Sequence, residues 1–170
     1  MVSSLARRED LAGVSFCCGQ EYIDNYFAQE MLEDSDAVPY CFWTDDKKRE
    51  LVGIASLSCS GIIIRSNNSF NITPAIEVKI FAVDEKYQHK AFPGAEEDDN
   101  GHWSDYCWIY LLEIINNITE NSCGASHIVL YSVPDAVSFY KRNGLESFVT
   151  LMEKPSNLFI DGCIPMFLNL

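Results

Sequence analysis

A chain of 170 residues, 48% of them hydrophobic, is long enough to form one domain with its own core and too apolar to be disordered. Its formal net charge of -13 argues against a nucleic-acid partner, because such binding depends on cations that neutralise phosphates, and the Lys and Arg residues are scattered along the sequence. No apolar run reaches the length of a transmembrane helix, so no membrane association is predicted.

The seven cysteines are odd in number and include no C-x-x-C pair, and no secretory apolar stretch follows Met1. We therefore expect a reducing, cytoplasmic setting. The three histidines do not stand at metal-ligand spacing, so no metal site is predicted.

The first predicted element is an amphipathic helix within Phe16–Leu32, with Gly19 at its entrance. Two strands, Val38–Trp43 and Leu51–Cys59, follow and form a hairpin across a charged turn. The segment Asn67–Asn71 has the composition of a loop. The helix is predicted from apolar side chains that recur at helical spacing, namely Tyr22, Ile23, Tyr26, Phe27 and Met31.

The next predicted strand is Ile76–Val83, which places Glu77 and Lys79 on one face and Val78 and Ile80 on the other. A polar turn follows it. A solvated Glu77–Lys79 pair is one interpretation of this face, and a functional glutamate is the other.

An acidic stretch separates this turn from the next helix, with four carboxylates over Glu96–Asp99. The helix itself is predicted over Ser104–Thr119, with Ser104 as a suitable N-cap and a wide apolar stripe. A strand that passes the chain to a helix in this way is where α/β proteins bind phosphate-bearing ligands, because the helix N-terminus offers unpaired N–H groups and partial positive charge.

The C-terminal part is predicted to contain a buried strand, His127–Tyr131, and a short helix, Asp135–Arg142, which Gly144 closes. Two apolar runs within Leu158–Leu170 predict a final hairpin that completes the sheet.

Two of these stretches carry a family resemblance. The sequence Phe81-Ala-Val-Asp-Glu-Lys-Tyr-Gln88 resembles the acetyl-CoA-binding motif of the GNAT (Gcn5-related) N-acetyltransferases, and Ala136-Val-Ser-Phe-Tyr-Lys-Arg-Asn-Gly144 resembles their second signature. The opening Phe16-Cys-Cys-Gly19 is similar to the start of a bacterial toxin-like subgroup that acetylates aminoacyl-tRNA, in which the cysteine is generally structural.

The resemblance implies one GNAT-like domain over residues 1–170, of the α/β (α+β) class. Its sheet is expected to be mixed, mostly antiparallel and six- to seven-stranded, splayed after Val83, with helices on both faces. A homodimer is compatible with this family.

The resemblance also implies roles for individual residues. Glu77 would act, directly or through water, as general base on the substrate amine, and Tyr140 would protonate the departing thiolate. Aromatic packing is the structural alternative for the Phe139–Tyr140 pair. Acetyl-CoA, the implied co-substrate, would contact Phe81, Ala82, Val83, Gln88, His89, Lys90, Ala91 and Phe139.

The phosphate-binding loop departs from the family pattern. Ala91 stands where the pattern has its first glycine, and Pro93, which has no N–H, stands where it has the second. We expect the acidic insert to project outward as a mobile loop, so that residues 88–91 still contact the phosphates. The alternative is a degenerate acetyltransferase fold that serves as a binding or regulatory module.

The acceptor is predicted from charge. Because the acidic chain repels polyanions, a small cationic amine or a protein amine is favoured over aminoacyl-tRNA. A cysteine–histidine hydrolase that uses Cys107 or Cys123 with His102 or His127 is a weaker alternative, since no spacing favours it.

Overall fold

The computed structural model describes residues 1–66, 69–95, 101–148, 160 and 162–170. Within these residues the strands are β1 (Val2–Leu5), β2 (Val38–Trp43), β3 (Leu51–Ser66), β4 (Ser69–Val83), β5 (His127–Ser132), β6 (Glu146–Ser147) and β7 (Ile164–Asn169). The helices are α1 (Arg8–Leu11), α2 (Glu21–Asn25), a π-helix (Tyr26–Glu30), α3 (Trp103–Asn121), a 3₁₀ turn (Pro134–Ala136) and α4 (Val137–Arg142).

The described strands form one seven-stranded sheet in the order β1-β2-β3-β4-β5-β7-β6. Strand β1 pairs antiparallel with β2, and β7 pairs antiparallel with both β5 and β6. Strands β4 and β5 run parallel, which requires a long connection, and α3 lies within it. The predicted mixed, mostly antiparallel sheet is confirmed, whereas helices on both faces stay a prediction.

Strands β3 and β4, which are neighbours in the sheet, are both longer than the predicted strands Leu51–Cys59 and Ile76–Val83. Strand β3 continues to Ser66 and β4 starts at Ser69, so the loop predicted over Asn67–Asn71 is wrong for its last residues, and Asn67 and Asn68 lie outside the described residues. A Cβ on Gly61 would lie 3.0 Å from Ile72 Cγ2, so a glycine lets the two strands continue side by side here. The β-branched residues of both strands favour this extended pairing over the loop composition of the asparagines.

The predicted first helix contains two helix types. Turn α2 ends at Asn25, and the chain then widens into the π-helix, where Met31 N–H donates to Tyr26 O over 2.9 Å. The Tyr26 hydroxyl lies 2.9 Å from Asp34 Oδ2 and 3.1 Å from Ser56 Oγ, which anchors this turn to β3. Over the two helices Tyr22 is exposed, while Ile23, Tyr26 and Met31 are buried.

The chain divides into two compact units. The first comprises Met1–Ser56 and Ile80–Ile115, and the second comprises Leu57–Lys79 and Asn116–Leu170. The core of the first unit includes Trp43 and Trp108, both fully buried, and Phe81 packs edge-on against Trp108 with ring centroids 5.3 Å apart. The second unit has a cluster of buried side chains that consists of Ile62, Ala75, Val129 and Phe148.

The final hairpin is described in part. Strand β7 corresponds to the second of the two apolar runs predicted within Leu158–Leu170, whereas residues 158, 159 and 161 lie outside the described residues. Among the described helices, none is long and apolar enough to cross a membrane.

Candidate functional site

The turn that follows β4 is fixed by a buried carboxylate. Asp84 is 3% exposed, and its side chain accepts hydrogen bonds from Cys17 N–H (3.2 Å) and Lys86 N–H (2.9 Å). Its main-chain carbonyl accepts from Tyr87 N–H (2.8 Å) and Gln88 N–H (3.1 Å). The first half of the predicted phosphate loop therefore has a defined conformation.

The second half contains a left-handed residue. His89 has φ of 56°, whereas Ala91 is not among the described residues with positive φ. Alanine in place of the family's glycine is therefore compatible with this backbone, because the left-handed position falls two residues earlier. Within the described part of the chain, the N–H groups of His89 and Ala91 have no hydrogen-bond acceptor. Main-chain N–H groups around a left-handed residue form a concavity that suits an anion.

The acidic insert is closed at its base. Ala91 and His102 form an antiparallel bridge, in which Phe92 N–H donates to Gly101 O (2.9 Å) and Trp103 N–H donates to Lys90 O (3.1 Å). The two ends of the insert thus lie next to each other, and α3 begins beside Lys90. The carboxylates Glu96–Asp99, predicted to lie on a mobile loop, are outside the described residues.

Aromatic side chains reinforce this closure. The Phe92 ring stacks on Tyr106 at 4.0 Å and meets Trp103 edge-on at 4.8 Å, and Tyr87 packs against Trp103 at 5.0 Å. We refer to Tyr87, Phe92, Trp103 and Tyr106 as the aromatic clamp. The sequence analysis missed the clamp, although an aromatic residue on each side of the insert was a visible signal.

The start of α3 differs from the sequence prediction. The helix begins at Trp103, so Ser104 lies inside the first turn and is not the N-cap. The Asp105 side chain instead accepts a hydrogen bond from His102 N–H at 2.9 Å, as in a capping box.

The end of β4 lies in a crowded part of the first unit. Ala82 and Val83 are buried, and a Cβ on Gly53 would lie 2.8 Å from Ala82 O, so β3 approaches this backbone closely. The parallel pairing of β4 with β5 ends at Val78, whereas β4 continues to Val83. The predicted splay after Val83 stays a prediction.

The N–H donors of Gln88 are all engaged within the protein. Its side-chain Nε2 donates to Cys18 O (2.9 Å) and Val83 O (2.8 Å), and its main-chain N–H donates to Asp84 O. An amide nitrogen carries two hydrogens, so no N–H of Gln88 is left for a direct contact with a phosphate.

Glu77 lies in the second unit and is half-buried. Burial raises the pKa of its carboxyl, while a hydrogen bond from Ser60 and the charge of Lys79 act in the opposite direction. Burial, followed by the charge of Glu77, raises the pKa of the Tyr131 phenol. Glu77 is therefore half-buried rather than fully solvated, and its role as a proton acceptor stays a prediction.

Tyr140 lies on α4, also in the second unit, and is 6% exposed. Burial, followed by the charge of Cys163, raises the pKa of its phenol well above the ordinary value, so the group is protonated at neutral pH. The Phe139 ring meets Tyr140 edge-on at 5.1 Å, and the Arg142 guanidinium lies 4.8 Å over Phe139. Both candidate catalytic residues thus belong to the second unit, whereas residues 81–83 and 88–91 come together in the first.

Within the described residues, no group of three or more His, Cys, Asp or Glu side chains is arranged to hold a metal ion.

Comparison with known proteins gives structural matches alone. No protein-family model matches the sequence, and no curated protein matches it. A solved structure of a bacterial toxin is 19% identical, with 99% of this chain and 90% of that chain covered and a TM-score of 0.66. AtaTR bound with AcCoA is 14% identical, with 99% and 92% covered and a TM-score of 0.73. AtaT complexed with acetyl-methionyl-tRNAfMet is 14% identical, with 99% and 94% covered and a TM-score of 0.69.

At these identities the matches show the fold. The chain has the fold of the AtaT and KacT toxins, and the GNAT-like fold predicted from the sequence is confirmed.

Proposed function

We propose that this protein is an N-acetyltransferase that moves an acetyl group from acetyl-CoA to a primary amine. The observation that carries the proposal is the hydrogen bond from Trp103 N–H to Lys90 O, which brings the start of α3 to the loop after β4. A helix N-terminus beside a loop with open N–H groups is an arrangement that binds phosphate. AtaTR, which has the same fold, was crystallised with AcCoA.

The proposed cofactor contacts lie in the first unit. The N–H groups of His89 and Ala91 face the pyrophosphate, and the exposed Lys90 supplies a cation. The backbone of Phe81, Ala82 and Val83 pairs with the pantetheine arm, a role that depends on main-chain groups. In the second unit, Phe139 is the remaining proposed cofactor contact.

The proposed reaction is direct attack of the amine on the thioester. Glu77, or a water that it holds, takes a proton from the substrate ammonium, because only the neutral amine is a nucleophile. The amine nitrogen then bonds to the acetyl carbon, the carbon–sulfur bond breaks, and the leaving thiolate takes a proton from Tyr140. The nitrogen gives up its second proton as the amide forms, and this proton restores the Tyr140 phenol, so one net proton leaves the reaction through Glu77. The raised pKa of Glu77 suits a base that must hold a proton briefly.

The proposed acceptor is a small cationic amine or a protein amine. The net charge of -13 favours such partners over a polyanion. The amino group of an aminoacyl-tRNA is the second candidate, because a solved structure shows AtaT complexed with acetyl-methionyl-tRNAfMet. The seven free thiols suit the reducing bacterial cytoplasm that we propose as the setting.

Calorimetry with acetyl-CoA tests the proposal. We expect saturable binding at micromolar to millimolar cofactor, and mass spectrometry should then detect an acetylated amine when a panel of acceptors is added. If neither heat nor competition appears at millimolar acetyl-CoA, the proposal is wrong and the fold serves as a binding or regulatory module.

A further inference from the structure

The main-chain groups of the N-terminal segment Cys17–Gly19 form hydrogen bonds with the loop after β4. Cys17 N–H donates to the buried Asp84 carboxylate at 3.2 Å, and Glu85 N–H donates to Cys17 O at 2.9 Å. The Gln88 side chain adds a third link, to Cys18 O at 2.9 Å. Residues far apart in sequence thus form one hydrogen-bonded unit around the proposed phosphate loop.

The segment is itself held in place. Cys18 N–H donates to Asp24 Oδ1 at 2.7 Å, which connects it to the first turn of α2. Gly19 has φ of 81°, and a Cβ at this position would lie 2.6 Å from Glu85 Oε1. A side chain would be strained at this φ, so the position favours glycine, whereas the Glu85 carboxylate lies at the end of a flexible side chain and could move away.

Gln88 is the link that joins this segment to the end of β4. Its Nε2 lies 2.9 Å from Cys18 O and 2.8 Å from Val83 O, and both acceptors are carbonyl oxygens, so the amide orientation follows from its partners. The residue that follows, His89, has φ of 56°, and the next N–H, that of Lys90, donates back to Tyr87 O at 3.3 Å. Because Gln88 adjoins His89, fixing Gln88 helps to hold the turn that carries the open N–H groups of His89 and Ala91.

We propose that Gln88 is a positioning residue for the pyrophosphate of acetyl-CoA, and that Cys17–Gly19 forms part of the cofactor site through it. The inference rests on the proposed function. Gln88 acts through His89 and Ala91, because its own N–H groups are already bonded. If Gln88 loses its two side-chain hydrogen bonds, the loop is no longer fixed in the free protein. Binding of acetyl-CoA must then order the loop, which lowers the affinity.

The test compares acetyl-CoA with S-acetylpantetheine, which has the same thioester and arm but lacks the nucleotide pyrophosphate. Gln88→Met keeps the length of the side chain and removes both donors. Gln29→Met, at an exposed position of the π-helix, is the matched control. Gln88→Lys keeps donors for both carbonyl oxygens and should restore binding.

We expect Gln88→Met to raise the Kd and KM for acetyl-CoA roughly tenfold to a hundredfold, the equivalent of two hydrogen bonds. Its kcat, and its kcat/KM with S-acetylpantetheine, should stay within about twofold of the wild type. Gln88→Lys should bind acetyl-CoA like the wild type and with the same salt dependence, since a new charge on the phosphates would steepen that dependence.

The outcomes separate the inference from the proposed function. If wild type and Gln88→Met bind acetyl-CoA equally well, Gln88 is not a positioning residue. The same conclusion follows if Gln88→Met has a lower melting temperature and weaker binding of both acetyl-CoA and S-acetylpantetheine. In either case the proposed function stands. If the wild type binds no acetyl-CoA at millimolar concentration, both are overturned.

Discussion

Trp103 N–H donates to Lys90 O across 3.1 Å, although the acidic insert separates the two residues in sequence. The first residue of α3 is therefore held at the loop after β4. Phe92 packs against this contact from the side, through Trp103 and Tyr106.

Replacing Phe92 by Ala should open the aromatic clamp. The ring is half-buried and makes a stacked and an edge-on contact, so we expect a loss of roughly 1–2 kcal/mol in the free energy of unfolding. Affinity for acetyl-CoA should fall about tenfold, because the start of α3 is no longer held at Lys90. Denaturant titration and calorimetry measure the two effects. Ile109→Ala, at an exposed position of α3, is the control, and an unchanged cofactor affinity in Phe92→Ala would show that the clamp does not shape the site.

Tyr140→Phe should separate chemistry from binding. Removing the phenol proton takes away the proposed acid, so we expect kcat to fall by about 100-fold or more while the Kd for acetyl-CoA changes less than threefold. Stopped-assay kinetics and calorimetry measure both values. Tyr22→Phe, at an exposed tyrosine, should behave as wild type. Equal turnover in Tyr140→Phe and wild type would assign Tyr140 to packing alone.

The raised pKa of Glu77 predicts a pH dependence of activity. As the base, Glu77 must be ionised, so wild-type kcat/KM should decline as pH falls through the raised pKa of this carboxyl. Glu77→Gln should be slow at every pH and lack this acidic limb. A variant with the full wild-type pH profile would exclude Glu77 as the base.

The same shift predicts a pH dependence of stability. Burial favours the protonated carboxyl in the folded state, so the pKa of Glu77 is higher in the folded than in the unfolded protein. The stabilisation from this group is therefore present below the pKa of the unfolded state and is lost as pH rises through the pKa of the folded state. Glu77→Gln resembles the protonated form at all pH. Its melting temperature should therefore match that of the wild type near pH 3.5 and exceed it at pH 8, and the opposite order would contradict the burial of Glu77.

Gly53→Ala should destabilise the first unit. The new Cβ would lie 2.8 Å from Ala82 O, a backbone atom that cannot swing away, and we expect a loss of about 1–3 kcal/mol. Gly124→Ala is the matched control, because a Cβ there meets nothing within 4 Å, and its effect should stay within about 0.5 kcal/mol. Urea denaturation of both variants measures the difference, and equal midpoints would mean that β3 and β4 can move apart at no cost.

The class of acceptor can be tested by measuring how binding and KM depend on the salt concentration. With a net charge of -13, the KM for a polyamine or a lysine peptide should rise with ionic strength, because attraction of the cation is screened. Filter binding with bulk tRNA at low salt should show no saturation. Saturable micromolar binding that weakens steeply with salt would favour aminoacyl-tRNA as the acceptor instead.

Periodicity in the sequence predicts the regular elements well, because it reports which face of an element is buried. Strand Val38–Trp43 has the predicted bounds, and α3 is one residue longer at its start and two at its end than Ser104–Thr119. Strand β1 is only four residues long, so its sequence shows no clear alternation of apolar and polar residues. It is recognised only from its pairing with β2, in which Val2 lies opposite Trp43.

The geometry of the candidate site was less accessible from the sequence, because it depends on contacts between distant residues. The left-handed residue is His89, whereas the family pattern pointed to the position of Ala91. The acceptors of Gln88 include Cys18 O, which lies 70 residues away in the chain. No local pattern encodes which carbonyl oxygen a glutamine side chain will reach.

The bridge between Ala91 and His102 also affects which sequence changes this loop can tolerate during evolution. Insertions and deletions inside the segment that it closes alter the cost of loop closure, which grows by about 0.6 kcal/mol for each doubling of length. Selection on the neighbouring turn and on the first residues of α3 therefore does not constrain the length of this segment. The segment could become longer or shorter, or change its net charge, in related proteins while Ala91 and His102 remain paired.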